Sequence, residues 1–269
     1  MRFLGVDLAW AEGSEARPAN PSGVVALEPS GRICDAGWTV GLDATLEWVG
    51  RQSHGDVLLF VDAPLVITNA TGPRLADRQA GQRYGRWGVS ANSTNLSSRH
   101  QAGLRLREQL ERAGWHYSDG RGGPARHGRV LSECYPYTAI VGVPELGYER
   151  RPPYKRASKG VRAAQAWPIR TAACDDLVRR LAKLAGFDPP LDIASHHETK
   201  RLLEPSPPRK REYKQREDLL DAVICAWTAA YWHRYGLDRN QVLGLPELPE
   251  GTGPCGTIIA PARPEQRVR

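Results

Sequence analysis

The chain has 269 residues, room for one large domain or two modest ones with a substantial core. Its 41% hydrophobic and 25% charged residues are ordinary for a soluble globular protein, and no apolar run reaches the ~18 residues of a membrane span. The N-terminus, one basic residue followed by an acid, is no secretory signal, so a cytoplasmic protein is expected, and the net charge of +7 suits an acidic polymer as partner.

Residues 2–8 read as a strand with Asp7 near its end, followed by the turn-rich loop EGSEARPANPSG. Residues 23–28 and 32–40 read as two more strands separated by the turn PSG, which suggests an antiparallel meander. LDATLEWVGRQ (42–52) predicts an amphipathic helix, and DVLLFVDAPL (56–65) is a buried strand that Pro64 stops. Within 66–100 a helix followed by a long loop is expected. Residues 102–115 predict a helix with Leu104, Leu106, Leu110 and Ala113 on its apolar side, and SDGRGGPARHG a flexible link. RVLSECYP (129–136) is a short strand carrying Glu133. The stretch 145–216 differs in composition and reads as a basic insertion with helices at 174–186 and 195–204, the second opened by a Ser195–Glu198 capping box. PSPPRKREYKQRE reads as too proline-rich and charged to pack. The helix 218–236 ends on His233, Arg234 and Gly236. Five cysteines, odd in number and without a C-x-x-C pair, favour reduced thiols over a disulfide framework or a metal knuckle.

Four of these segments carry acids in apolar surroundings. Asp7 sits in FLGVDLAW, Asp62 in LLFVDAPL and Glu133 in VLSECYP, while Asp218 and Asp221 open the last helix. A carboxylate removed from water without a partner costs several kcal/mol, in rough terms. Acids three apart share a helix face, and along this one they are followed by Ala222, Cys225 and Ala229, small enough to let the helix lie close on a sheet. Gathered carboxylates repel one another and raise each other's pKa, whereas Mg²⁺ or Mn²⁺ reverses that, and two such ions about 3.5–4 Å apart can clamp a phosphodiester. Each acid also has a purely structural reading: a turn-former at Asp7 or Asp62, a half-exposed edge residue at Glu133, a complement to the helix dipole at Asp218 and Asp221.

GVDLAW, VDAPL, ECYP and DLLDAVICAW, in that order, resemble the DUF429 family, described as predicted nucleases with a ribonuclease H-like fold; the resemblance spans about residues 3–235. It implies an α/β architecture: a five-stranded mixed sheet with strands one to three antiparallel, flanked by helices on both faces. On this reading one ribonuclease H-like domain covers 1–245, with 145–216 a partly helical insertion before the C-terminal helix and 246–269 an irregular tail. The resemblance further implies that Asp7, Asp62, Asp218 and Asp221 hold the metal, Mg²⁺ or Mn²⁺, with Glu133 a nearby catalytic addition. The helix D-x-x-D is also similar to that of Holliday-junction resolvases, which usually carry glutamate where this chain has Asp62.

Basic residues lie among aromatics in three stretches, a pattern that suits phosphate contact and base stacking, or else a solvated face. Arg74, Arg78, Arg83 and Arg86 accompany Tyr84 and Trp87. Arg150, Arg151, Lys155, Arg156, Lys159 and Arg162 accompany Tyr148 and Tyr154. Lys210, Arg211, Lys214 and Arg216 precede the acidic helix. Lys155, Lys159, Arg83 and Tyr84 are the expected substrate contacts. The function expected is a divalent-metal-dependent nuclease acting on DNA or RNA, as a homodimer if its role is resolvase-like. A phosphotransferase or ATPase of the actin and sugar-kinase type ranks lower, because Trp10-Ala11-Glu12 and Ala63-Pro64-Leu65 stand where glycine-rich phosphate turns are needed. A non-catalytic nucleic-acid-binding module is disfavoured by the retained acids.

Overall fold

The strand β1 (Arg2–Asp7) sits inside the sheet, paired on both sides. The computed structural model describes residues 1–10, 13–14, 17–99, 101–157, 160–245 and 253–267. Beside β1 runs β2 (Pro21–Leu27), antiparallel, with Asp7 opposite Gly23, and β3 (Ile33–Val40) pairs antiparallel with β2. On the other flank β4 (Val57–Val61) runs parallel to β1. The two-residue β5 (His116–Tyr117) and β6 (Arg129–Glu133) complete a mixed sheet of order β3-β2-β1-β4-β6-β5, in which the β1–β4, β4–β6 and β6–β5 pairs are parallel.

Side-chain alternation along these strands divides the core into two layers. Phe3, Val25, Leu58 and Phe60 face one way, together with the helices α2 (Leu75–Tyr84), α4 (Pro136–Gly142), α5 (Ala163–Ala182) and α7 (Lys210–Tyr235). Leu4, Val6, Val24, Leu59 and Val61 face α1 (Leu42–Gln52) and α3 (Ala102–Arg112). Burying each such side chain contributes roughly 1.5–3 kcal/mol over leaving it in water. The longest helix, α7, crosses β1 and β2 at very short range. A methyl added at Gly5 would overlap the backbone of Ala222 and Ala226, and one at Gly23 the carbonyl of Asp218. These two glycines on the strands meet the small face of α7, and the contact brings the helix acids to the end of β1.

Several expectations need correction. The sheet has six strands, not five. The helix expected to 115 ends at Arg112, left-handed Gly114 turns the chain, and the buried Tyr117 takes its strand beside β6. Of PSPPRKREYKQRE, expected to be too proline-rich and charged to pack, residues 210–217 form the first two turns of α7. Tyr213, Arg216 and Glu217 are buried there against the insertion, so Asp218 lies two turns inside the helix, away from its positive end. The Ser195–Glu198 capping box is absent. Ser195 Oγ accepts from the Ile33 N–H, and the short α6 (His197–Lys200) is capped by His196 Nδ1 on the Glu198 N–H. The tail expected to be irregular contains a buried strand, β8 (Ile258–Pro261), paired antiparallel with β7 (Asn240–Leu243), because its apolar run TIIAPA finds cover there.

Candidate metal centre

β1 and β4 are neighbours and parallel, so their carboxyl ends lie side by side, where open α/β sheets present ligands. Asp7 closes β1. Asp62 follows β4, its N–H bonded to the Val6 carbonyl at 2.9 Å. Asp221 arrives from α7, one turn beyond the helix residue that packs on Gly23. A carboxylate oxygen from each of the three can be chosen so that all lie within 4.8 Å of one another. Asp7 and Asp62 are half-buried and Asp221 is fully buried.

The protein partly offsets this charge itself. The Lys155 ammonium is in contact with Asp221 Oδ2 and lies 3.8 Å from Asp62 Oδ2. The preceding residue, buried Tyr154, donates its hydroxyl to Asp221 Oδ1 at 2.6 Å. Asp218 pairs with Lys214 one turn earlier on α7. Burial pushes the Asp7 carboxyl well above the usual carboxylate range. Lys155 pulls it back, and Asp221, Asp62 and Asp218 raise it further. Burial likewise takes Asp62 up to about 7 against the pull of Lys155, with Asp221 and Glu133 adding to the rise. Asp218 is raised by burial in spite of Lys214. Burial alone would lower the Lys155 ammonium, but Asp221, Asp7 and Asp62 reverse that and hold it well above its usual value.

Other expected site residues lie elsewhere. Glu133 is not in the cluster: its two oxygens accept from Arg74 at 2.6 and 2.8 Å, and the Leu65 N–H donates to Oε2 at 3.1 Å. Arg74 also grips Asp77 at 2.8 Å, which makes a buried three-membered ion network under the site. Arg83 donates to Gln241 at 2.8 Å, and Tyr84 is buried with its hydroxyl on the Pro261 carbonyl at 2.7 Å. Both hold the β7–β8 hairpin and not the acid cluster. Lys159 lies outside the described residues.

Sequence reading missed the bond from Tyr154 to Asp221 and the aromatic floor after β6. The Lys155 ammonium stands 5.5 Å from the Tyr137 ring centre, the Arg151 guanidinium 4.5 Å from the same ring, and Tyr135 meets Tyr137 edge-on. The available signal was tyrosine alternating with ECYPYT and the YK pair of 154–155. Next to Asp62 a small cleft opens between Trp10, Asn92, Thr94 and Tyr135.

Fold and site define a mixed α/β protein with a carboxylate cluster at the carboxyl ends of two parallel strands. The chain belongs to the family described as protein of unknown function (DUF429), whose model matches residues 5–247. No curated protein and no solved structure matches it. Among the described residues no helix is long and apolar enough to cross a membrane.

Proposed function

We propose that the chain is a divalent-metal-dependent nuclease of ribonuclease H-like fold, hydrolysing phosphodiester bonds of a nucleic acid. The observation that carries the reading is the meeting of Asp7, Asp62 and Asp221 within 4.8 Å, from two strands and a helix that are far apart in sequence. An all-carboxylate donor set on rigid elements fits Mg²⁺ or Mn²⁺. Burial first, and the neighbouring acids after it, raise the Asp7 and Asp62 carboxyls in spite of the lysine among them, a cost that a bound cation would relieve by displacing their protons. The strand order β3-β2-β1-β4-β6, with α7 laid across β1 and β2, supports the fold assignment.

Asp7 and Asp62 would hold the ion, with Asp221 turned to it or to Lys155. Such an ion supplies Lewis-acid activation of a phosphoryl group. The chain's own part is to orient and to balance charge. Tyr154 fixes Asp221, and Lys214, 60% exposed, can turn from Asp218 to a backbone phosphate. The half-buried Tyr135 and Trp10 offer faces for bases next to the scissile bond. Five free cysteines agree with a reducing, cytoplasmic setting.

The test is incubation of the purified chain with Mn²⁺ and single-stranded, duplex, hybrid and branched DNA and RNA. Cleavage that disappears in Asp7→Asn supports the assignment, and cleavage indifferent to that change overturns it.

A further inference from the structure

We propose that Lys155 takes the place of a second metal ion, so that the Asp7–Asp62–Asp221 cluster binds one divalent cation per chain and not two. The inference rests on the nuclease reading of the site and narrows it to a single-ion centre.

The first ground is occupancy. Both oxygens of Asp221 already face groups of the protein: Oδ1 accepts from the Tyr154 hydroxyl, and Oδ2, which accepts no hydrogen bond, touches the Lys155 ammonium. Asp218, which the sequence offered as a fourth ligand, is engaged by Lys214. Glu133 is turned away into the Arg74 network. The oxygens left for metal are those of Asp7 and Asp62, with Asp221 shared at the margin. Two ions of the paired kind each require several oxygens and a bridging carboxylate.

The second ground is charge. Once metal has displaced their protons, three carboxylates against one ammonium leave two negative charges, which one divalent ion matches. A second divalent ion would turn the pocket strongly positive in a place where charge is poorly screened.

The third ground is that the lysine is held in place. Its neighbour Tyr154 is fully buried, and the Tyr137 ring stands under its ammonium. Yet 29% of the Lys155 side chain remains exposed, so a phosphate oxygen can approach the same ammonium. A fixed positive charge aimed at the reacting phosphoryl group is what a second ion would otherwise provide.

Titration calorimetry with Mn²⁺, paired with electron paramagnetic resonance of the bound ion, decides the matter without reference to turnover. One Mn²⁺ per wild-type chain, with the spectrum of an isolated ion, is expected. Lys155→Met should admit a second, weaker equivalent at millimolar Mn²⁺, and Lys155→Arg should stay at one. Two ions in the wild type with an exchange-coupled spectrum overturn the inference and leave the nuclease reading intact. So does a Lys155→Met chain that still takes one ion but more tightly, since the lysine would then merely compete for the place. No Mn²⁺ on either wild type or Lys155→Met overturns the metal centre and this inference with it.

Discussion

Gly23 lies directly beneath Asp218: a Cβ on the strand residue would run into the carbonyl of the helix residue. The same glycine faces Asp7 across the β1–β2 ladder. One close contact therefore fixes the height of α7 over the sheet and the approach of the helix acids to the strand acids. Neither Gly23 nor Gly5 adopts a left-handed backbone, so it is space and not conformation that demands them.

Gly23→Ala should therefore lift α7 or strain the strand. Overpacking of this kind typically costs ~1–3 kcal/mol. The expected result is a lower denaturant midpoint at unchanged slope, together with weaker Mn²⁺ binding, because the rise of the helix carries Asp221 away from Asp7. A midpoint equal to the wild type's would mean that the helix rides higher than the contact requires.

Arg74 holds two buried carboxylates, Glu133 and Asp77, and all three side chains are nearly inaccessible. Arg74→Met leaves both acids without their cation, and breaking such a network costs about 3–5 kcal/mol. Urea unfolding should register that loss. Mn²⁺ affinity of the folded variant should stay within a few-fold of wild type, because Glu133 is a support and not a ligand. A large loss of affinity at normal stability would return Glu133 to the metal site.

The raised carboxyls also set a pH dependence. Asp62 rises from an ordinary 3.8 to about 7, and Glu217 from 4.5 to about 7; burial is the main cause in each. Between these values the folded protein keeps protons that the unfolded chain has released, so stability falls as pH rises from about 4 to about 7. Glu28, Asp56 and Asp176 are held low and act in the opposite sense, below that window. Urea midpoints of the metal-free protein across this range should decline, and Asp62→Asn should flatten the decline. Mn²⁺ should do the same, since the cation substitutes for the proton. A midpoint that climbs equally in wild type and Asp62→Asn would mean that Asp62 is ionised throughout.

The acids were legible because a carboxylate at the end of an apolar strand is a local anomaly that needs only its neighbours to be seen. Asp7, Asp62 and the D-x-x-D of α7 could be gathered on that basis, and so could the small face of α7. The fate of Glu133 could not, since its partner Arg74 is 59 residues away and reads locally as one more surface arginine. The start of α7 was hidden by the prolines at 205, 207 and 208, by an exposed, charged first turn, and by Tyr213, Arg216 and Glu217, whose burial depends on the insertion packed around them. The sixth strand has two residues, too few to show a period. The same limit applied to Tyr154 and Lys155: in sequence they are a loop pair among basic residues, and only the fold aims them at Asp221.

That pairing supports a last expectation. The Tyr154 hydroxyl bonds Asp221 Oδ1 at 2.6 Å from a fully buried position, and Tyr213 in turn donates to the Tyr154 carbonyl at 2.8 Å. Partners that orient a metal-binding carboxylate typically matter by about 10–100-fold in metal affinity. Tyr154→Phe keeps the ring and its packing against Tyr137, and removes only the bond to Asp221. Calorimetry with Mn²⁺ should show an affinity loss in that range with stoichiometry unchanged. The same change frees Asp221 to rotate toward Lys155, so the ammonium should be held more firmly and exchange its protons with solvent more slowly. Wild-type affinity in Tyr154→Phe would mean that Asp221 is positioned by the lysine alone.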